Sequence, residues 1–444
     1  MSIVFYERFY VNGCVFSYKE SGLISDVMLN AIAHDKRLSE EVTRLRAALG
    51  EQYDTDYASL AVPFDTVMVN RVQELVAVKQ QLHSRVLIIV GIGGSNLGTK
   101  AIYQALYGRF HNASNPTLKV YFLDTVDSDR IAEILRIVQS ELEAGHAVIV
   151  NVITKSGTTT ETIINFHTIL ALLKKFHPTR YCEYVVVTTD CHSPLWHSAQ
   201  REGFAFLEIP KKVGGRYSVF SAVGLFPLAL CGISLERLHE GARAAIEEGT
   251  RQTLEENPAL LSALLLYSHY TNNVTVKDLF LFSLDLEAVG KWYRQLLGES
   301  IGKEFNRSGK QVMVGITPTV SLGSIDLHSV AQLYLAGPRD KFTMFVTVEK
   351  NKHSVTIPDD HSCAGKTFED VMDALVKGTQ RAYFKNKRPF CTVTLPEKNE
   401  YCLGQFLQFK MLEMMYLGYL LDVNPFDQPN VELYKKETHT ILGC

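Results

Sequence analysis

The chain has 444 residues, 46% of them hydrophobic, and its 45 Lys and Arg nearly cancel 48 Asp and Glu, leaving a net charge of −3. That length carries a full core and predicts two domains, while the even charge argues against a polyanion-binding surface or a basic membrane-docking face. Eight scattered cysteines without a CxxC pair read as reduced thiols, not as a disulfide scaffold or a structural zinc site.

The opening segment, MSIVFYERFYVNG, has no basic stretch followed by a long apolar run, and no later apolar run reaches bilayer length. The expectation is a soluble, cytoplasmic protein. To about Asp65 the pattern is mostly helical. Leu23–Ala48 has recurring apolar positions among charges and no strand-like alternation, and Val69–His83 is a second helical pattern. Next comes Val86–Thr99, VLIIVGIGGSNLGT, an apolar run that ends in a glycine-rich turn carrying Gly94 and Ser95. Val120–Leu123, Ala147–Ile153 and Tyr184–Thr188 are further short apolar runs with helical segments between them. This predicts parallel strands covered by helices on both faces.

The run at Ala147–Ile153 ends in Thr154-Lys155-Ser156-Gly157-Thr158-Thr159. Two strands ending in such loops place backbone N–H groups, hydroxyls and an ammonium around one anion, with phosphate the natural candidate. Serine and threonine also cap helices, and glycine also serves tight turns, so each loop has a structural reading too. Neither loop is a Walker A motif, and GIGGSNLG lacks the GxGxxG spacing of a dinucleotide fold.

The alternation then restarts. Leu279–Leu284, Gln311–Ile316 and Phe342–Val348 are strand candidates, with helices at Phe368–Phe384 and Cys402–Asp422, so two αβα units joined near Pro210–Gly224 are expected. No fixed-period repeat is present. Val213–Gly224, VGGRYSVFSAVG, sets Arg216 inside a small, apolar stretch, where a guanidinium could answer negative charge on a substrate oxygen. Glu299 in LLGESIGKE is a carboxylate between Gly298 and Gly302, with Glu304 as the weaker alternative. His328 in SIDLHSVAQLYLAG opens an apparent helix, and either caps it, fills the core or transfers protons near neutrality. Asn424–Lys435, NPFDQPNVELYK, is a proline-confined turn with Gln428 and Lys435 flanking a short helical segment; Lys435 and Lys436 also read as a solvated helix end.

Together these motifs resemble the phosphoglucose isomerase (glucose-6-phosphate isomerase) family. Val213–Gly224 is similar to its GGR[FY]S segment, Gly298–Lys303 to ESxGK, and Pro425–Lys435 to FDQxGVExxK. The resemblance runs from the first glycine-rich loop to Lys435. It implies an α/β fold of two SIS-type αβα sandwich domains with parallel central sheets, and terminal segments that pack across a homodimer. The implied division is 1–65, a helical segment on the second domain; 66–215 and 216–422, the two sandwiches; and 423–444, a C-terminal segment with an active-site lysine.

The implied activity is interconversion of glucose 6-phosphate and fructose 6-phosphate without metal or organic cofactor, and without nucleic-acid or membrane partners. Gly94 and Ser95 match the first phosphate loop, and Thr154, Lys155, Ser156 and Thr159 the second. Gln295 and Gln428 match substrate-contacting glutamines. Glu299 matches the proton-transfer base and Arg216 the arginine beside the enediolate. His328 matches a ring-opening histidine supplied by the neighbouring subunit, and Lys435 the lysine near the ring oxygen. Departures are Pro429-Asn430 where glycine is usual, Thr154 for serine, Ile301 for asparagine, and SIDLH for a TNGQH-like run. Asn430 is expected to keep the turn by tolerating a left-handed backbone. Rival readings are an isomerase of another hexose phosphate, such as mannose 6-phosphate, and a noncatalytic sugar-phosphate sensor. The sensor would not need Glu299, Arg216, His328 and Lys435 together.

Overall fold

A computed structural model of the chain describes residues 9–10, 13–25, 29 and 36–443. Residues 26–28 and 30–35 of the expected Leu23–Ala48 helical stretch lie outside the described residues. The stretch before Asp65 is not mainly helical from its start. Strands β1 (Phe9–Tyr10) and β2 (Val15–Ser17) precede a helix at Lys36–Gly50.

After the Thr66–Gln80 helix come β3 (Val86–Val90), β4 (Lys119–Leu123), β5 (Val148–Ile153), β6 (Val185–Thr189) and β7 (Ala205–Glu208). They form one five-stranded parallel sheet in the order β4-β3-β5-β6-β7. Every residue of β3 and β5 is buried, as central strands covered on both faces require. The chain leaves β3 for β4 on one side and returns as β5 on the other. Ligands of such sheets bind in the crevice beyond the strand C-termini at this reversal. Val90 and Val152 are in register there, so the loops after β3 and β5 emerge side by side.

The second sheet holds β8 (Val276–Leu281), β11 (Thr317–Leu322), β12 (Lys341–Lys350) and β13 (Phe390–Glu397) in parallel. It differs from the expected all-parallel sheet. β2 pairs antiparallel with β13 and β1 with β2, giving six strands in the order β1-β2-β13-β12-β8-β11. The expected strand at Gln311–Ile316 is also displaced. β10 (Gln311–Val314) pairs with β9 (Lys303–Phe305) in a separate two-stranded hairpin, and the sheet strand is the following TPTVSL. Its polar composition hid it. β11 lies at the sheet edge, where Pro318 and half-buried polar residues are tolerated.

A bundle of helices joins the sheets. In the Glu400–Leu420 helix every residue from Cys402 to Gly418 is buried, so the helix is embedded rather than amphipathic. It meets the Leu235–Gly249 helix through reciprocal glycines. A Cβ on Gly241 would lie 1.9 Å from Tyr401 O, and one on Gly404 2.1 Å from Leu238 O. The embedded helix also carries an ion pair, Lys410–Glu413, whose carboxylate accepts hydrogen bonds from Ser262 and Tyr293. Buried charges persist only when paired in this way. Among the described residues the seven cysteines are free, and no helix is long and apolar enough to cross a membrane.

Candidate active site

The loop after β3 is drawn inward by close backbone contact. A Cβ on Gly91 would lie 3.0 Å from Ile153 O, one on Gly93 3.0 Å from Gln295 Nε2, and one on Gly94 2.1 Å from the Gly215 carbonyl carbon. A side chain at Gly94 would therefore push this loop off the Gly215-Arg216 backbone. Ser95 closes a single 3-10 turn, Gly93–Ser95, and is partly exposed at the crevice.

The loop after β5 begins with buried Thr154, whose Oγ1 lies 2.9 Å from Thr159 Oγ1. Thr159 stands at the N-cap of the Thr160–Phe176 helix but makes no side-chain cap bond. Its hydroxyl meets Thr154 instead and keeps capacity for a further hydrogen bond, and the simple capping role does not hold for it. Ser156 Oγ accepts from Thr158 N at 3.2 Å. Burial pulls the Lys155 ammonium below its ordinary pKa, opposed by Asp190. Burial likewise pushes Asp190 up to about 6, opposed by Lys155. The loop thus holds a desolvated cation and free hydroxyl capacity beside a helix N-terminus, a setting suited to a phosphate.

Arg216 is 2% exposed, and its guanidinium is fully engaged. Nε donates to Ser300 Oγ at 2.8 Å, and Nη1 to Gln428 Oε1 at 2.7 Å and Glu299 Oε2 at 3.1 Å. Nη2 donates to the carbonyls of Pro425 at 2.6 Å and Asp427 at 3.1 Å. Tyr217 OH lies 3.0 Å from Ser300 Oγ and donates to Pro425 O, so the partners are themselves held. A planar fork satisfied along its edges cannot rotate, and one of its nitrogens is aimed at a carboxylate.

That carboxylate, Glu299, sits in the last turn of the Glu287–Ile301 helix. Gln295, one turn earlier on the same face, donates Nε2 to Glu299 Oε1 at 3.0 Å. Gln295 Oε1 is buried and has no hydrogen-bond partner among the described residues. Each oxygen of Glu299 is therefore held by a different neighbour, which orients the carboxylate. Ile301, where asparagine is usual, is fully buried and packs into the core.

The structure brings together Gly94, Arg216, Gln295, Glu299 and Gln428, with the Thr154–Thr159 loop joined to them through the Gly91–Ile153 contact. It does not bring in His328 or Lys435. His328 ends the exposed 3-10 turn Ile325–His328 beyond β11, rather than opening a helix. Lys435 lies on the Val431–Leu442 helix, which buries no residue, and its ammonium pairs with Glu432 at 2.6 Å. Asn430 is not left-handed as expected. Its φ is −68°, an ordinary helical value that Asn adopts without strain, and its Nδ2 donates to Glu304 Oε2 at 2.9 Å. The sequence reading missed Ser300, Lys303, Asp427 and the Pro425 carbonyl. Only the lysine four residues after Glu299 left a trace, in the ESIGK spacing.

The phosphoglucose isomerase family matches residues 77–443. The chain is 38% identical over 368 residues to a glucose-6-phosphate isomerase of Carboxydothermus hydrogenoformans, covering 80% of this chain and 78% of that protein. It is 33% identical over 443 residues to that of Bacillus cytotoxicus, covering 96% and 95%. A crystal structure of a hypothetical protein from Thermus thermophilus is 32% identical and superposes with a TM-score of 0.85 over 97% of this chain and 100% of that one. The family match spans the first sheet, the parallel strands of the second and every residue gathered around Arg216, and the chain belongs to the phosphoglucose isomerase family.

Proposed function

We propose that the chain interconverts glucose 6-phosphate and fructose 6-phosphate through ring opening and a cis-enediol. The observation that carries this reading is the Glu299 carboxylate, held by Gln295 on one oxygen and by buried Arg216 on the other. Glu299 takes the C2 proton of the open-chain aldose and returns it to C1, while the hydroxyl proton of O2 passes to O1; the reverse reaction retraces the path. One carboxylate serves both directions because it is base and then acid for the same proton. Arg216 answers the oxygen that becomes anionic as the proton leaves, an interaction stronger in the transition state than in the ground state. Ser95, Thr154, Lys155, Ser156 and Thr159, with the Gly94 backbone, hold the phosphate. Gln295 and Gln428 orient the sugar. Anchoring the remote phosphate turns binding energy into orientation of C1 and C2.

His328 and Lys435 open the ring. The exposure of His328 and the pairing of Lys435 with Glu432 support a homodimer in which His328 of one subunit serves the other's site. We further assign the two sheets to SIS-type αβα units at 66–215 and 216–422, with 423–444 supplying Lys435. The pairing of β2 with β13 supports grouping 1–65 with the second unit. Scattered free cysteines support a cytoplasmic location.

A coupled assay comparing glucose 6-phosphate with mannose 6-phosphate tests the substrate. Turnover of glucose 6-phosphate is expected to dominate, and dominant mannose 6-phosphate turnover overturns the assignment. With deuterium at C2, transfer to C1 with partial loss to solvent is expected. Transfer with no solvent exchange would mean hydride transfer instead.

A further inference from the structure

Lys303 has no part in the reaction as just described, yet its ammonium joins the backbone of Glu299 to the Asp427 carbonyl that Arg216 holds. Its side chain is 5% exposed. Nζ donates to Glu299 O at 2.9 Å, to Asp427 Oδ1 at 2.9 Å, and to the Asp427 carbonyl at close range. Glu299 O is one of the carbonyls that a helix end leaves unpaired, and a lysine four residues on can satisfy it. A capping lysine needs only that contact. Here the same ammonium also grips the carbonyl that Arg216 Nη2 holds at 3.1 Å. Asp427 is anchored in turn by Asn424, whose Nδ2 donates to its other carboxylate oxygen at 2.9 Å. Burial lowers the pKa of the Lys303 ammonium, with Asp427 the leading opposing charge. The cation is thus desolvated, with one adjacent counter-charge bonded to it.

These contacts close a ring. It runs from the Glu299 backbone through Lys303 to the Asp427 carbonyl, from there to the Arg216 fork, and from Arg216 Nη1 back to the Glu299 carboxylate. Its three chain segments are far apart in sequence, so no local rule sets their spacing. We propose that Lys303, together with Asp427, is a positioning residue that fixes the Glu299 carboxylate relative to Arg216 and to the carbons between which the proton moves. The proposal rests on the isomerase reading. It assigns Lys303 no contact with substrate. Loss of its ammonium frees the Asp427 loop from the end of the glutamate's helix, and the base and the guanidinium lose their shared reference.

Lys303→Met keeps the length of the stem and removes the charge. Displacement of a catalytic group by about 1 Å costs on the order of 10²-fold in rate. The expected result is therefore a kcat lower by about that factor, with KM for fructose 6-phosphate little changed because the phosphate loops are untouched. Asp427→Asn keeps the carbonyl and the volume but weakens the pair, and is expected to give a smaller kcat loss, again without a KM change. Because both act through one ring, the double variant is expected to be no slower than Lys303→Met alone. If Lys303→Met does not fold, Asp427→Asn carries the test by the same split of kcat from KM. Wild-type kcat in a folded variant, a raised KM at unchanged kcat, or fully additive losses would each overturn the proposal. A wild-type chain that does not isomerise glucose 6-phosphate would overturn the isomerase reading, and this proposal with it. Wild-type turnover beside variants of unchanged kcat would overturn this proposal alone.

Discussion

The surroundings of Arg216 and those of His328 and Lys435 differ in how much of their setting a single chain provides. Arg216 is buried, and each nitrogen of its guanidinium has an acceptor, drawn from Glu299, Ser300, the 425–427 carbonyls and Gln428. His328 and Lys435 stand on exposed elements, and the hydrogen bond of Lys435 goes to a neighbour on its own helix. The buried guanidinium is thus preorganised by the fold. Among the described residues, His328 and Lys435 have no such shell. Electrostatic stabilisation gains most from groups fixed before reaction, because nothing then has to reorganise at the transition state.

The largest expected effect tests the preorganised side. Glu299→Gln retains the shape but accepts from only one of the two donors and cannot take up a proton, and kcat is expected to fall by about 10²–10⁴-fold, the usual worth of positioned proton transfer. Less than about a tenfold loss, measured under saturating substrate, would remove Glu299 from that role. Arg216→Lys comes next. A point charge with three donors cannot replace the fork, and kcat is expected to drop by about 10²–10³-fold. The same variant takes one charged donor from the Pro425 and Asp427 carbonyls, which keep Tyr217 and Lys303 respectively, so its unfolding free energy is expected to fall by about 1.5–3 kcal/mol per charged hydrogen bond lost, read from denaturant titration. A raised KM with normal kcat would mean that Arg216 binds the ground state only.

A smaller effect is expected at the phosphate loop. Thr159→Val removes one hydroxyl at nearly constant volume, and a lost hydrogen bond to a charged group implies about a tenfold or larger fall in kcat/KM. The fall is expected for phosphorylated substrate and not for the phosphate-free sugar; an identical response of the two would contradict a phosphate role. The smallest readout bears on the exposed side of the comparison. His328→Ala and Glu299→Ala homodimers are expected to be inactive. A forced heterodimer of the two rebuilds one complete site and recovers up to about half of wild-type activity per dimer. No recovery in verified, folded heterodimers would place His328 and Glu299 of each site in the same subunit.

Much of the first sheet and its loops was legible in the chain. VLIIV and VIVNVI are unbroken apolar runs because both faces of β3 and β5 are covered, and the turns after them announce themselves by glycine and hydroxyl residues. The second sheet was less legible. β11 is an edge strand of polar composition, and β1 and β2 owe their pairing to β13, which lies near the other end of the chain. No helical or strand period in residues 9–17 could reveal a partner that distant.

Composition, apolar periodicity and glycine placement, all local properties of the chain, determined the alternation of strand and helix, the two anion-suited loops and the candidate acid, base and guanidinium. Tertiary structure alone decided which of them meet. Arg216 reaches Glu299 across 83 residues and Gln428 across 212, and the ammonium of Lys303 joins Glu299 to Asp427. Hydrogen bonds between such distant groups impose no period on the sequence, and a buried guanidinium is tolerable only once the packed sheets deliver all of its acceptors together.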